Sequence, residues 1–222
     1  MNNLLNTSGT FADGIDFSGT NDSFISGNSI ITRGAAGSGV ALTAGTNNSR
    51  VLLNNISVTN SGSGILMSTG SKNNNVTKNY INASGTGDGI ALTTGADYNI
   101  LSGNLINSTA GDGIEFTNIL NTTIIGNLIR VNASGVHGIS FEGSSNYTTL
   151  AYNNITVYGS GNGKVYEVSS KKFSTGGIYT GGFRIPTQVI EASGEELIKD
   201  PENNVNITLN EHIYTFNIKE GE

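Results

Sequence analysis

A glycine followed by isoleucine or valine returns along this chain at an almost constant interval. That interval limits the folds open to it. The pairs are Gly14-Ile15, Gly39-Val40, Gly64-Ile65, Gly89-Ile90, Gly113-Ile114 and Gly138-Ile139, with steps of 25, 25, 25, 24 and 25 residues. A sustained period of this length marks a repeat architecture, in which each unit buries its apolar side by stacking on its neighbours.

Each unit opens with an alternating pair of apolar residues: Ile15 and Phe17, Val40 and Leu42, Ile65 and Met67, Ile90 and Leu92, Ile114 and Phe116, Ile139 and Phe141. Period two predicts a short strand with these side chains on one face. About fifteen residues after the glycine stands an asparagine: Asn28, Asn54, Asn79, Asn104, Asn127 or Asn153. An apolar residue precedes each by three positions, and an isoleucine follows each by two. Asparagine tolerates the left-handed backbone that a tight bend requires, so each of the six is expected to occupy such a bend. Stacked amides are expected to form a hydrogen-bonded ladder.

A 25-residue period also suits a leucine-rich repeat, but that repeat sets its Leu and Asn in a different frame. Gly, Asn, Ser and Thr crowd every segment here, and no ten-residue stretch has a helical period. The pattern therefore predicts an all-β parallel solenoid of six to seven coils, with two or three short strands per coil. Stretches such as Thr20-Asn21-Asp22-Ser23 and Gly45-Thr46-Asn47-Asn48-Ser49 supply the turns.

The rhythm fails after Val157, where Gly159-Ser160-Gly161-Asn162-Gly163 reads as a loop. Residues 1–150 hold 13 charged side chains and residues 151–222 hold 15 in half the length. We therefore read residues 1–168 as the repeats. Residues 169–222 read as an irregular coil, including Gly177-Ile178-Tyr179, followed by strands. Val205–Leu209 and His212–Ile218 alternate and read as a hairpin turning at Asn210-Glu211, which either caps the solenoid or begins another domain.

Composition excludes several function classes. The absence of cysteine removes disulfides, thiolate metal sites and Cys nucleophiles. A net charge of −6 with only 11 Lys and Arg argues against nucleic acid and anionic lipid as partners. No apolar run reaches 18 residues, so no membrane span is expected. The N-terminal sequence is not a signal peptide. Twelve N-x-S/T sequons, which are used only on a translocated chain, point to a piece of a longer exported protein at the cell surface. Asn21, Asn47, Asn121 and Asn146 are the candidate glycosylation sites. The competing reading is chance, since Asn, Ser and Thr are abundant throughout.

Candidate chemistry lies in the column before the first strand of each coil: Asp13, Ser38, Ser63, Asp88, Asp112 and His137. Asp88, Asp112, Glu115 and His137 fall in adjacent coils. Together they could serve acid–base hydrolysis of a sugar or offer oxygens to Ca²⁺. The competing reading is that Asp-Gly is a turn dipeptide, for which Ser38 and Ser63 substitute. The leading reading assigns no catalytic residue, cofactor or metal. Two His and two Met supply no soft-metal site. Tyr80, Tyr98, Tyr147, Tyr152 and Tyr158 could stack on sugars, but their numbering sets them in no single column.

The pattern Gly-x-Gly-Ile-x-Phe followed by Asn-x-Ile resembles the right-handed parallel β-helix of the pectin-lyase-like superfamily over residues 10–158. In particular it resembles the NosD-type repeats of archaeal and bacterial adhesin-like surface proteins. The resemblance implies a fold shared by lyases, glycosidases, epimerases and adhesins. Ala12-Asp13-Gly14-Ile15-Asp16, Gly111-Asp112-Gly113 and Val136-His137-Gly138 echo the motifs of polygalacturonases. However, Gly113 replaces the second Asp of the pair, the first motif lies four coils away, and the Arg-Ile-Lys is missing. The Asp-Pro-His-Asp of alginate epimerases is also missing, as are the Met and His clusters linked with the NosD name. The expectation is a non-catalytic extracellular module that is structural and contacts carbohydrate or cell-surface components. The alternative is a polysaccharide-active glycosidase or lyase.

Overall fold

The structure is a computed structural model, and it describes residues 3–145, 147–158, 165–167, 173–176, 198–199, 204–209 and 212–217. The chain forms two compact units, Met1–Gln188 and Val189–Glu222. The described residues contain strands and turns but no helix.

The first unit is a parallel β-solenoid with three strands per coil. The fourth coil shows the plan: Ile90–Thr93, Ile100–Ser102 and Leu105–Ser108. Corresponding strands of successive coils pair in parallel and build three seven-stranded sheets. Sheet 1 holds the Gly-Ile strands, sheet 2 the strands before the repeated asparagine, and sheet 3 the strands after it. Register is strict, with Ile90 beside Ile65 and Ile114, and Ile106 beside Ile81 and Ile129. Val165–Glu167 and Phe173–Gly176 continue sheets 1 and 2 past the point where the sequence rhythm fails. Gly159–Gly163 and Gly177–Tyr179 lie outside the described residues.

Alternation aims one residue of each pair inward, so like side chains stack on like. Ile30, Ile56, Ile81, Ile106, Ile129 and Ile155 form a fully buried column. Phe116 and Phe141 stack with ring centroids 5.0 Å apart and planes 15° from parallel. The repeated glycine has a steric cause. A Cβ on Gly89 would lie 2.3 Å from Ile106 Cγ2 and 2.5 Å from the carbonyl oxygen of Gly113. The corner between sheets 3 and 1 therefore closes only around a residue without a side chain.

The six repeated asparagines point inward, and each exposes 7% or less of its surface. In the fourth coil, Asn104 Oδ1 accepts the backbone N–H of Asn79 at 3.0 Å and its Nδ2 at 3.1 Å. Asn104 Nδ2 in turn donates to Val76 O and to Asn127 Oδ1, both at 2.9 Å. The same linkage joins Asn28 to Asn54 and runs on to Asn153, and Asn3 extends it at the other end. The expected left-handed asparagine is not found. The residue before it takes positive φ: Gly27, Leu53, Lys78, Gly103, Gly126 or Tyr152. The bend is made one position earlier, which leaves the amide free to turn into the core.

A second ladder occupies the bend between sheets 1 and 2. The Ser23 N–H donates to Ser49 Oγ, Ser49 N–H to Asn74 Oδ1, and Asn74 N–H to Asn99 Oδ1, at 3.1, 2.9 and 2.8 Å. Here too the preceding residue is left-handed, and the column reads Asp22, Asn48, Asn73, Tyr98, Asn121, Tyr147.

The second unit contains a three-stranded antiparallel sheet of Ile198–Lys199, Asn204–Leu209 and His212–Asn217. Leu209 pairs with His212, and Asn204 with Asn217, so the expected hairpin is present. Asn210-Glu211 lies outside the described residues.

Candidate functional site

The acidic column borders sheet 1, and its side chains bond along the solenoid axis. Asp13 Oδ1 accepts the Ser38 N–H at 2.6 Å. Asp88 Oδ1 accepts the Asp112 N–H at 2.8 Å, and Asp112 Oδ1 accepts the His137 N–H at 2.5 Å. The second oxygen of Asp112 accepts the Ser140 hydroxyl at 2.5 Å. Each carboxylate thus satisfies an amide of the next coil at a turn, where a backbone donor has no strand partner.

Glu115 stands on the outward face of sheet 1, between Ala91 and Ser140 in register. It accepts the Thr117 hydroxyl at 3.3 Å and forms a side-chain hydrogen bond with Asp88. Burial pushes the Asp88 carboxyl up to about 8, and the hydrogen bond and charge of Glu115 add to the shift. The Asp112 N–H opposes it, while the Asp112 charge reinforces it. Burial and the negative charge of Glu115 thus both favour the protonated form of Asp88. Burial also raises Asp13, against the opposing bond from Ser38.

Of the four candidate groups, Asp88 interacts with Glu115, while Asp112 is bonded to Ser140, which lies outside the candidate set. His137 joins them through its backbone. Two shallow grooves lie elsewhere. One of about 410 Å³ on the sheet 3 side is lined by Asn107, Ser108, Thr109, Arg130, Asn132 and Tyr158. Another of about 210 Å³ lies against Asp22, Ser23, Phe24, Asn48 and Arg50. Neither contains an acid of the sheet 1 column. Among the described residues, no three His, Asp or Glu side chains are placed to hold a metal ion. No helix there is long and apolar enough to cross a membrane, which says nothing of a β-barrel.

The sequon residues differ in their surroundings. Asn47 Nδ2 donates to Gly45 O at 2.6 Å, while its Oδ1 accepts the Lys72 N–H at 2.8 Å, so its amide is held within the turn. Asn21 and Asn121 are exposed, and Asn146 lies outside the described residues. The five tyrosines form no single column, but two of them do align. Tyr98, Asn121 and Tyr147 are in register at one bend, as the pairing of Ile100 with Thr123, and of Thr123 with Thr149, requires.

The model of the right-handed β-helix region matches residues 13–176. No curated protein matches the sequence. Among solved structures the chain is similar to the periplasmic alginate epimerase AlgG, with a TM-score of 0.63 and 17% identity. That match covers 78% of this chain and 43% of the epimerase. A point mutant of the same enzyme matches with a TM-score of 0.56 and 16% identity, covering 74% and 50%. The chain therefore spans half or less of the epimerase's length, and at this identity the likeness is one of fold. With three parallel sheets, one strict register and a family match across nearly every coil, the chain belongs to the right-handed β-helix family.

Proposed function

We propose that this chain is a non-catalytic β-helix module of an exported surface protein, structural in role and contacting carbohydrate on its outer faces. One observation carries the reading: the aspartates of the column are engaged in coil-to-coil hydrogen bonds. Asp112 uses both oxygens, on the His137 N–H and the Ser140 hydroxyl. A carboxylate engaged in this way is part of the backbone's hydrogen bonding and has little freedom to move a substrate proton. Export is supported by the periplasmic location of the similar epimerase and by exposed sequons such as Asn21 and Asn121.

The second reading is a polysaccharide-active enzyme. It is favoured by Asp88, whose carboxyl burial and Glu115 push up to about 8, a shift that suits a general acid. The two readings separate in one experiment. The protein is incubated with alginate and with polygalacturonate, and the polymers are followed by proton NMR. The proposal expects unchanged anomeric signals. New epimer or unsaturated-end signals that disappear in Asp112→Asn and Glu115→Gln overturn it.

A further inference from the structure

The outward face of sheet 2 in coils four to six is uncharged, as are stretches of sheets 1 and 3, and it is set apart by the aromatic residues at its edges. Its outward positions are Ile100, Ser102, Thr123, Ile125, Thr149 and Ala151, none of them charged. Three exposed tyrosines rim it. Tyr98 and Tyr147 stand on one edge, and Tyr152 on the other beside Gly103 and Gly126. Two lysines border it: Lys78 precedes Gly103 in the column of Tyr152, and Lys72 is paired. Lys72 bonds Asp97 at 2.9 Å while its ammonium lies 6.0 Å from the Tyr98 ring centroid.

All three tyrosines hold positive φ, at 56°, 57° and 54°. Left-handed backbone is costly for a bulky side chain, and tolerable for Asn, Asp and Gly. The first column shows those easier residues elsewhere, Asp22, Asn48, Asn73 and Asn121, whereas the second holds Leu53 and Lys78 as well as Gly27, Gly103 and Gly126. At the first bend, Tyr98 and Tyr147 thus hold aromatic rings in solvent where the other members of the column are Asn or Asp. Backbone strain of this kind is found at ligand-binding sites, where the surrounding structure maintains it.

We propose that this face is a binding platform for an uncharged polysaccharide. The inference rests on the carbohydrate-contacting reading and names its site and ligand class. A face without charge matches a ligand without charge, and exposed rings stack on the C–H faces of sugars while their hydroxyls bond at the edge. Tyr98 and Tyr147 are two coils apart in one column, about 10 Å. Two rings at that spacing along a flat face suit an extended repeating chain better than a compact ligand. Asn121 stands between them, so a glycan on that sequon and a bound polymer exclude one another.

The test uses unglycosylated protein. Titration calorimetry is run with mixed-linkage β-glucan, galactomannan and soluble starch, with alginate as the charged comparison. The variant combines Tyr98→Asn, Tyr147→Asn and Tyr152→Gly, each the residue its own column uses elsewhere. It relieves backbone strain, so its melting temperature is expected to be unchanged or higher. The expected result is binding of at least one uncharged polymer by the wild type, weakened at least about tenfold in the variant. Arg130→Ala, in the sheet 3 groove, is expected to leave that binding unchanged. Binding of alginate alone, or equal binding by the variant, overturns the platform while leaving carbohydrate contact standing. Binding of no polymer overturns both. A wild-type dimer that the variant abolishes would assign the face to a second copy of the chain. Turnover in the NMR experiment overturns the non-catalytic reading and leaves the platform intact.

Discussion

Asn104→Ala removes the central rung of the main amide ladder, and its cost can be worked from the bonds. Two buried donors on Asn79, its backbone N–H and its Nδ2, lose their shared acceptor at 3.0 and 3.1 Å. Val76 O and Asn127 Oδ1 each lose one donor, but Asn127 Oδ1 keeps the backbone N–H only if residue 104 holds its place. An unpaired buried N–H costs about 1–3 kcal/mol; Asn79 Nδ2 keeps Val51 O at 2.8 Å through its other hydrogen, so the two unpaired N–H groups cost at most roughly 2–6 kcal/mol. A water entering the vacated volume would recover part of this, leaving a loss of about 4 kcal/mol. That is a large share of a domain's usual net stability of about 5–15 kcal/mol. Urea unfolding followed by far-UV circular dichroism measures it. Asn82→Ala, on the outward face of sheet 3, is the control and is expected to stay within about 0.5 kcal/mol of wild type. A loss below about 1 kcal/mol in Asn104→Ala would refute the claim that the ladder holds the coils together.

Three further outcomes follow from the same geometry. Gly89→Ala drives a Cβ into Ile106 Cγ2 and the Gly113 carbonyl, so it is expected to destabilise by about 3 kcal/mol or more in the same unfolding assay. Asp88→Asn is expected to flatten the pH dependence of stability. Asp88 rises from 3.8 to about 8 on folding, so unfolding releases its proton between those values and stability falls as pH rises. An amide can keep the bond from the Asp112 N–H and donate to Glu115. The variant should match wild type near pH 4 and exceed it by a few kcal/mol near pH 9, as unfolding at both pH values will show. Asp97→Ala should cost more than Lys72→Ala. Asp97 is buried and also accepts the Leu120 N–H at 2.9 Å, whereas a half-exposed ion pair contributes only about 0–1 kcal/mol by itself.

The coil period, the inward alternation and the column of six asparagines were all legible in the sequence, because each repeats a residue type at a fixed spacing. The second ladder was not. Its members are Ser49, Asn74 and Asn99, followed in register by Thr122 and Thr148, and several residue types can serve one hydrogen-bonding position. The left-handed position was misplaced by one residue, since Gly, Leu, Lys and Tyr all fill it and no composition rule marks it. The tyrosine column was hidden by arithmetic. The step from Tyr98 to Asn121 is 23 residues and that from Asn121 to Tyr147 is 26, so only strand register reveals the alignment. The acids of the candidate site were visible as Asp-Gly turns. Their bonds, in which each carboxylate accepts the N–H of the next coil, depend on the stacked backbone.

The central claim is that this solenoid holds carbohydrate without chemistry at its carboxylates. Calorimetric titration of the uncharged polymer that binds wild type best, repeated on the double variant Asp112→Asn, Glu115→Gln, tests it most directly. Both amides preserve hydrogen bonding within the column. The predicted result is a Kd within about twofold of wild type, and a loss of about tenfold or more would place the carbohydrate at the acids and contradict the account.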